Sequence, residues 1–159
     1  MKGPWCAGDH LYAAVAAGGE WILTTVDART GAPGPAVRVA KHIPGLDSPI
    51  DIADVKAAGS AAVVSVHDSR LTLDSSGVTA VDGTAVRWRR PLLNPVIATT
   101  ADGRVFAAGY DSVLHELDPA TGVTLWSTPT PGPVDTLTVA GPMLISTVGH
   151  GVTARPLQR

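Results

Sequence analysis

Five histidines, His10, His42, His67, His115 and His150, are the first side chains to weigh, because a neutral imidazole can ligate a metal or move a proton near neutral pH. They stand singly. No pair has the i, i+4 spacing that places two ligands on one helix face, and no carboxylate recurs beside them. They read as exposed or turn histidines. His115-Glu116 looks like an acid–base dyad, but neighbours on a strand point to opposite faces and cannot converge on one substrate atom. The pair reads as strand decoration. Asp47, Asp51 and Asp54 in "GLDSPIDIADVK" suggest calcium, yet their spacing fits no loop that folds carboxylates around one ion. They are read as turn and inner-strand carboxylates. No serine lies in a Gly-x-Ser-x-Gly elbow, so a nucleophilic hydrolase has no support. Arg87, Arg89 and Arg90 flank Trp88. Strand alternation puts Arg87 and Arg89 on one face, as charges that blunt a sheet edge or as a small dock for an acidic partner.

No residue set therefore announces catalysis, and the question becomes what scaffold carries these side chains. The chain has 159 residues, about one domain, which buries roughly 70% of its unfolded surface. A net charge of −2 and a pI near 6.2 lack the basic bias of a surface that tracks phosphates, so nucleic acid is not an expected partner. Cys6 is alone and forms no internal disulfide. The sequence shows no signal-peptide pattern and no apolar run of about 18 residues, so no membrane span is expected and the compartment stays open. Either terminus, Met1-Lys2-Gly3-Pro4-Trp5 or Pro156-Leu157-Gln158-Arg159, is compatible with a boundary inside a longer protein.

The organisation is repetitive. Trp88 and Trp126 are 38 residues apart, and at that spacing the chain aligns with itself without gaps. Pro91 meets Pro129, and "NPVIATTADGRVFAAGYDS" (94–112) meets "GPVDTLTVAGPMLISTVGH" (132–150), with Pro95 on Pro133 and Gly103 on Gly141. Upstream, "TVDARTG" (25–31) matches "ELDPATG" (116–122), and "HLYAAVA" (10–16) is similar to "RVFAAGY" (104–110). A shortened copy of the turn lies at Asp82-Gly83-Thr84, and "RLTLDSSG" (70–77) is an insertion that lengthens one hairpin. Each unit reads as short alternating strands separated by Gly-containing turns, with no helical period.

"LDPATGVTLW" resembles the Ala-x-Asp-x-x-Thr-Gly-x-x-x-Trp blade signature of the pyrroloquinoline-quinone-like (quinoprotein-type) β-propeller repeats. The match falls on Asp118, Thr121, Gly122 and Trp126, with Glu116 in place of the initial Ala. It is partial in the first unit (Asp27, Thr30, Gly31, without the Trp) and in the second (Asp82, Trp88). The resemblance implies that Asp, Thr and Gly close a turn while the indole docks between adjacent blades, so Trp88 and Trp126 are both expected buried. Trp126→Ala should then cost about 3–5 kcal/mol. Quinone enzymes of this family use a vicinal disulfide, a Trp floor and calcium ligands in a closed ring. A single Cys cannot supply the first of these, and no cofactor is expected.

The expected fold is all-β, a β-propeller of about four four-stranded antiparallel blades at 1–43, 44–90, 91–129 and 130–159, the last without its outer strand. It is either a small ring or half of an eight-bladed one. The resemblance implies a non-catalytic platform for protein partners, such as a sensor domain of a bacterial receptor kinase or an envelope assembly scaffold, and an extracytoplasmic home if the chain is part of a longer protein, otherwise cytoplasmic. Two copies would close the ring as a homodimer. The competing expectation is an enzyme or small-ligand binder with carboxylates and histidines converging on the propeller axis.

Overall fold

A computed structural model describes residues 1–7, 10–42, 49–83 and 85–157. Asp47 and Thr84, singled out above, lie outside the described residues. Among the described residues, fifteen strands form four antiparallel sheets, each a meander in chain order. Sheet one contains β1 (Lys2–Ala7), β2 (His10–Ala17), β3 (Glu20–Asp27) and β4 (Pro33–Lys41). Sheet two contains β5 (Ile50–Ala58), β6 (Ala61–Asp68), β7 (Gly77–Asp82) and β8 (Ala85–Pro91). Sheet three contains β9 (Val96–Thr99), β10 (Val105–Ala108), β11 (Val113–Leu117) and β12 (Thr124–Pro129). Sheet four has three strands, β13 (Thr136–Ala140), β14 (Met143–Val148) and β15 (Gly151–Pro156). The described residues contain no helix.

The first strands β1, β5, β9 and β13 pack side by side in that order, so the sheets fan out from a common inner line. Three apolar layers fill the gaps between them. Between sheets one and two lie Tyr12, Ala14, Trp21 and Leu23 against Ile50, Ile52, Val64 and Val66. Between two and three lie Val63, Ala80 and Trp88 against Ile97, Val105, Ala107 and Leu117. Between three and four lie Ala98, Phe106 and Leu114 against Leu137 and Leu144. Strand alternation explains the division: Val105 and Ala107 point to one neighbour, while Phe106 and Ala108 point to the other. A sheet covered on both faces needs a continuous apolar run, and β6 supplies one, with six consecutive buried residues from Ala61 to Val66. Its neighbour at the end of the series, β2, is covered on one side and shows the alternating pattern instead.

The insertion between β6 and β7 is tied to the body by a network that the sequence did not announce. The Asp68 side chain is fully buried, and its carboxylate accepts from the Arg70 guanidinium at 3.1 and 3.0 Å and from the Thr72 hydroxyl. Asn94, in the link to sheet three, accepts the Asp68 N–H at 2.8 Å and donates its own N–H to Ser76 Oγ at 2.7 Å. The hydrogen bonds from Arg70 hold the Asp68 carboxyl well below the ordinary carboxylate range, against the opposing effect of burial.

Candidate functional site

The joint between sheets two and three is built on the full blade signature, Asp118, Thr121 and Gly122 of one sheet with Trp88 of the other. Asp118 begins the β11–β12 turn, and its Oδ1 accepts the N–H groups of Ala120 and Thr121 at 2.8 and 2.9 Å. These two bonds lower its pKa. Gly122 donates its N–H to the Asp118 carbonyl at 2.8 Å, and the Thr121 hydroxyl accepts from Val123. Trp88, on the neighbouring outer strand β8, lies across this turn. Its side chain is buried, and Nε1 donates to the Pro119 carbonyl at 2.9 Å. Gly122 is required there twice over: its φ is +72°, and a Cβ would stand 2.6 Å from the indole.

The same turn is built between β3 and β4. Asp27 Oδ1 accepts from Arg29 and Thr30, each at 2.8 Å, and Gly31 donates to the Asp27 carbonyl at 2.9 Å. The Thr30 and Arg29 bonds lower the Asp27 pKa in the same way. Among the described residues no ring lies against Gly31 in this copy, for a Cβ added there would meet nothing within 4 Å. In the shortened copy, Asp82 ends β7 and forms an ion pair with Arg87.

Trp126 departs from the expectation. It stands opposite Glu116 on β11 as Trp88 stands opposite Ala80 on β7, yet it is 42% exposed where Trp88 is 8%. The reason is geometric. Trp88 is covered by the turn before the fourth strand of the next sheet, and sheet four has three described strands, so no such turn lies over Trp126. A cleft of about 900 Å³ opens there instead, lined by Arg104, Phe106, Glu116, Trp126, Arg155 and Leu157 among others. Arg104 and Glu116 form a two-pronged ion pair at 2.8 and 3.0 Å, with the guanidinium 5.1 Å above the Phe106 ring. Hydrogen bonding to Glu116 stabilises the charged guanidinium and raises its pKa.

Two histidine assignments also change. His115 is neither exposed nor decorative: it is buried on β11, with Nε2 3.0 Å from Asp111 Oδ2. His67, half-buried on β6, contacts the Pro95 carbonyl at 2.9 Å, and the buried Ser65 hydroxyl donates to that same oxygen. These groups border a small groove near the first strands, with Asp54 and Asp135 on its wall, the nearest approach to an axial site. Both His67 and Ser65 are engaged in fixing the link to sheet three. Asp54 pairs with Lys56 and Asp51 with Lys2, and no group of three metal-ligating side chains assembles among the described residues. Arg87 and Arg89 are both exposed, with Arg87 paired to Asp82 and Arg89 donating to the Asp74 carbonyl at 3.0 Å.

The profile of the family described as "Outer membrane protein assembly factor BamB", a quinoprotein-like repeat family, matches residues 19–155. The chain belongs to that family. The fold agrees: BamB from Moraxella catarrhalis superposes with a TM-score of 0.64 at 20% identity over 94% of this chain. The Neurospora crassa Pan2 WD40 domain does so with 0.56 at 12% identity over 87%. No curated protein matches by sequence. The four stacked sheets are therefore blades of a β-propeller. The chain spans 47% of the BamB chain and 40% of the Pan2 chain.

Proposed function

We propose that this chain is a non-catalytic half-propeller that acts by binding protein, and that its two end faces close against a second copy. The observation that supports this reading is the pair of uncovered blade faces. On blade one, Leu11, Ala13, Val15 and Ile22 line the face turned away from blade two, with Val15 38% exposed. On blade four, Met143, Ile145 and Val152 line the face turned away from blade three, with Val152 72% exposed. Each internal face of the same kind is buried against a neighbour, and apolar sheet faces left in water favour association. Two copies bring eight blades together, the ring size implied by the quinoprotein-type resemblance.

Cys6 provides the test. It is exposed and pairs with Leu11 on the open face of blade one. Its maleimide labelling should slow as protein concentration rises from nanomolar to micromolar, because the second copy covers that face. A rate independent of concentration would contradict closure by self-association.

A further inference from the structure

We infer that the rim carrying the β6–β7 insertion is a docking surface for a segment of another protein in which carboxylates alternate with large apolar side chains. The inference rests on the protein-binding reading and gives it a surface and a partner chemistry. The rim belongs to blades two and three, each of which has four strands and a blade on either side.

The insertion turns its apolar residues outward. Leu71 is 51% exposed and Leu73 52%, so neither serves the core. Leu71 also has a φ of +56°, in the left-handed region that suits Gly, Asn or Asp and strains a leucine. The loop is nevertheless firmly held. The Leu71 N–H donates to the Asp68 carbonyl at 2.9 Å, the buried Asp68 carboxylate binds Arg70 and Thr72, and the Ser76 hydroxyl donates to the Val66 carbonyl at 3.0 Å. A strained, half-exposed leucine gives folding little in return, and a framework that fixes it in place points to recognition.

The same framework carries a third apolar side chain. Asn94, with a φ of +42°, binds both Asp68 and Ser76, while the adjacent Leu93 carbonyl accepts the Tyr110 N–H at 3.0 Å. Tyr110, in the β10–β11 connection, is 51% exposed. Ser112, two residues on, has a φ of +56°. Every non-glycine residue with a left-handed backbone among the described residues, Leu71, Asn94 and Ser112, therefore lies on this rim.

Charge selects the partner. Asp68 neutralises Arg70, but Arg89 and Arg90, which end β8 beside the insertion, have no carboxylate partner among the described residues. Only the exposed Asp74 opposes them on the loop, and Arg89 donates to its carbonyl rather than its carboxylate. Across the rim, Asp111 is engaged by His115. Leucines and a tyrosine beside unneutralised guanidinium groups fit an apolar segment that brings its own carboxylates.

The probe is a short fluorescein-labelled peptide in which Glu alternates with Leu and Phe, titrated into the full chain and followed by anisotropy. Binding should saturate and weaken with salt, and the peptide with Lys for Glu should not bind. Leu73→Ser together with Tyr110→Ser should weaken binding at least tenfold with the melting temperature unchanged, because both side chains are exposed. Arg89→Glu should weaken it and remove most of its salt dependence. Leu71→Asn should weaken binding while raising the melting temperature, the reverse of what a residue serving the fold would do. Absence of saturable binding, binding indifferent to the Leu73 and Tyr110 changes, or a lower melting temperature for Leu71→Asn overturns the proposal. If the Leu73 and Tyr110 changes abolish self-association, the occupant is a second copy and the proposal also fails. Failure of the peptide with Cys6 still protected at high concentration would sink this surface alone and leave the half-propeller reading standing.

Discussion

Replacing Gly122 with alanine isolates the contact that holds blade two to blade three, because Gly31 offers an internal control. Both glycines have a left-handed backbone, with φ of +72° and +70°, and both follow Asp-x-x-Thr in the same hydrogen-bonded turn. In either case an L side chain costs roughly 1–2 kcal/mol from backbone strain. At Gly31 that is the whole effect, since the added methyl meets nothing within 4 Å. At Gly122 the methyl would lie 2.6 and 2.7 Å from atoms of the Trp88 ring, which must then move within a packed layer. Overpacking of this kind adds about 1–3 kcal/mol and also loosens the Nε1 bond to Pro119. Gly122→Ala should therefore lose about 2–5 kcal/mol and Gly31→Ala about 1–2 kcal/mol. At about 2–4 °C per kcal/mol for a chain of this size, thermal melting followed by circular dichroism resolves the difference. Equal losses would refute the inference that the indole rests on the turn.

Trp88→Ala should cost about 3–5 kcal/mol and Trp126→Ala less than about 1 kcal/mol, read from urea midpoints, because only the first leaves a cavity. In acid the sign follows from Asp27, Asp68 and Asp118, whose folded-state pKa values are all lowered. The unfolded chain binds more protons, so the stability they contribute is complete above the ordinary Asp value of 3.8 and is lost as pH falls below it toward their folded values. Melting temperature against pH should show that acid limb, and Asp68→Asn should flatten it. Calorimetric titration with pyrroloquinoline quinone and calcium should show no saturable micromolar binding, and one tight site would overturn the non-catalytic assignment.

The fold was legible in the sequence because a repeating meander writes the same constraints several times. Turn residues at Asp27–Gly31 and Asp118–Gly122, and a Trp at fixed spacing, identify the blade even where single strands are short. What escaped was set by position in the series rather than by local pattern. Trp88 and Trp126 are equivalent in sequence, and only the number of strands in the following blade decides which of them is buried. His115 looked like surface decoration because one strand cannot reveal that blade three is covered on both faces. The Asp68–Arg70–Thr72 cluster joins the end of β6 to an insertion that departs from the repeat, and it is fixed by Asn94, which accepts from Asp68 26 positions away and from Ser76 18 positions away. The Trp126 cleft had a signal available in the sequence, a motif Trp followed by a unit without an Asp-x-x-Thr-Gly turn of its own.

Closure of two half-propellers is tested most directly by the mass of the purified chain in solution. Light scattering at micromolar concentration should give about 33 kDa, twice the 16.3 kDa of one chain, and Val152→Arg on the open face of blade four should return it to the single-chain value. A well-folded particle of 16.3 kDa at every concentration would contradict the account.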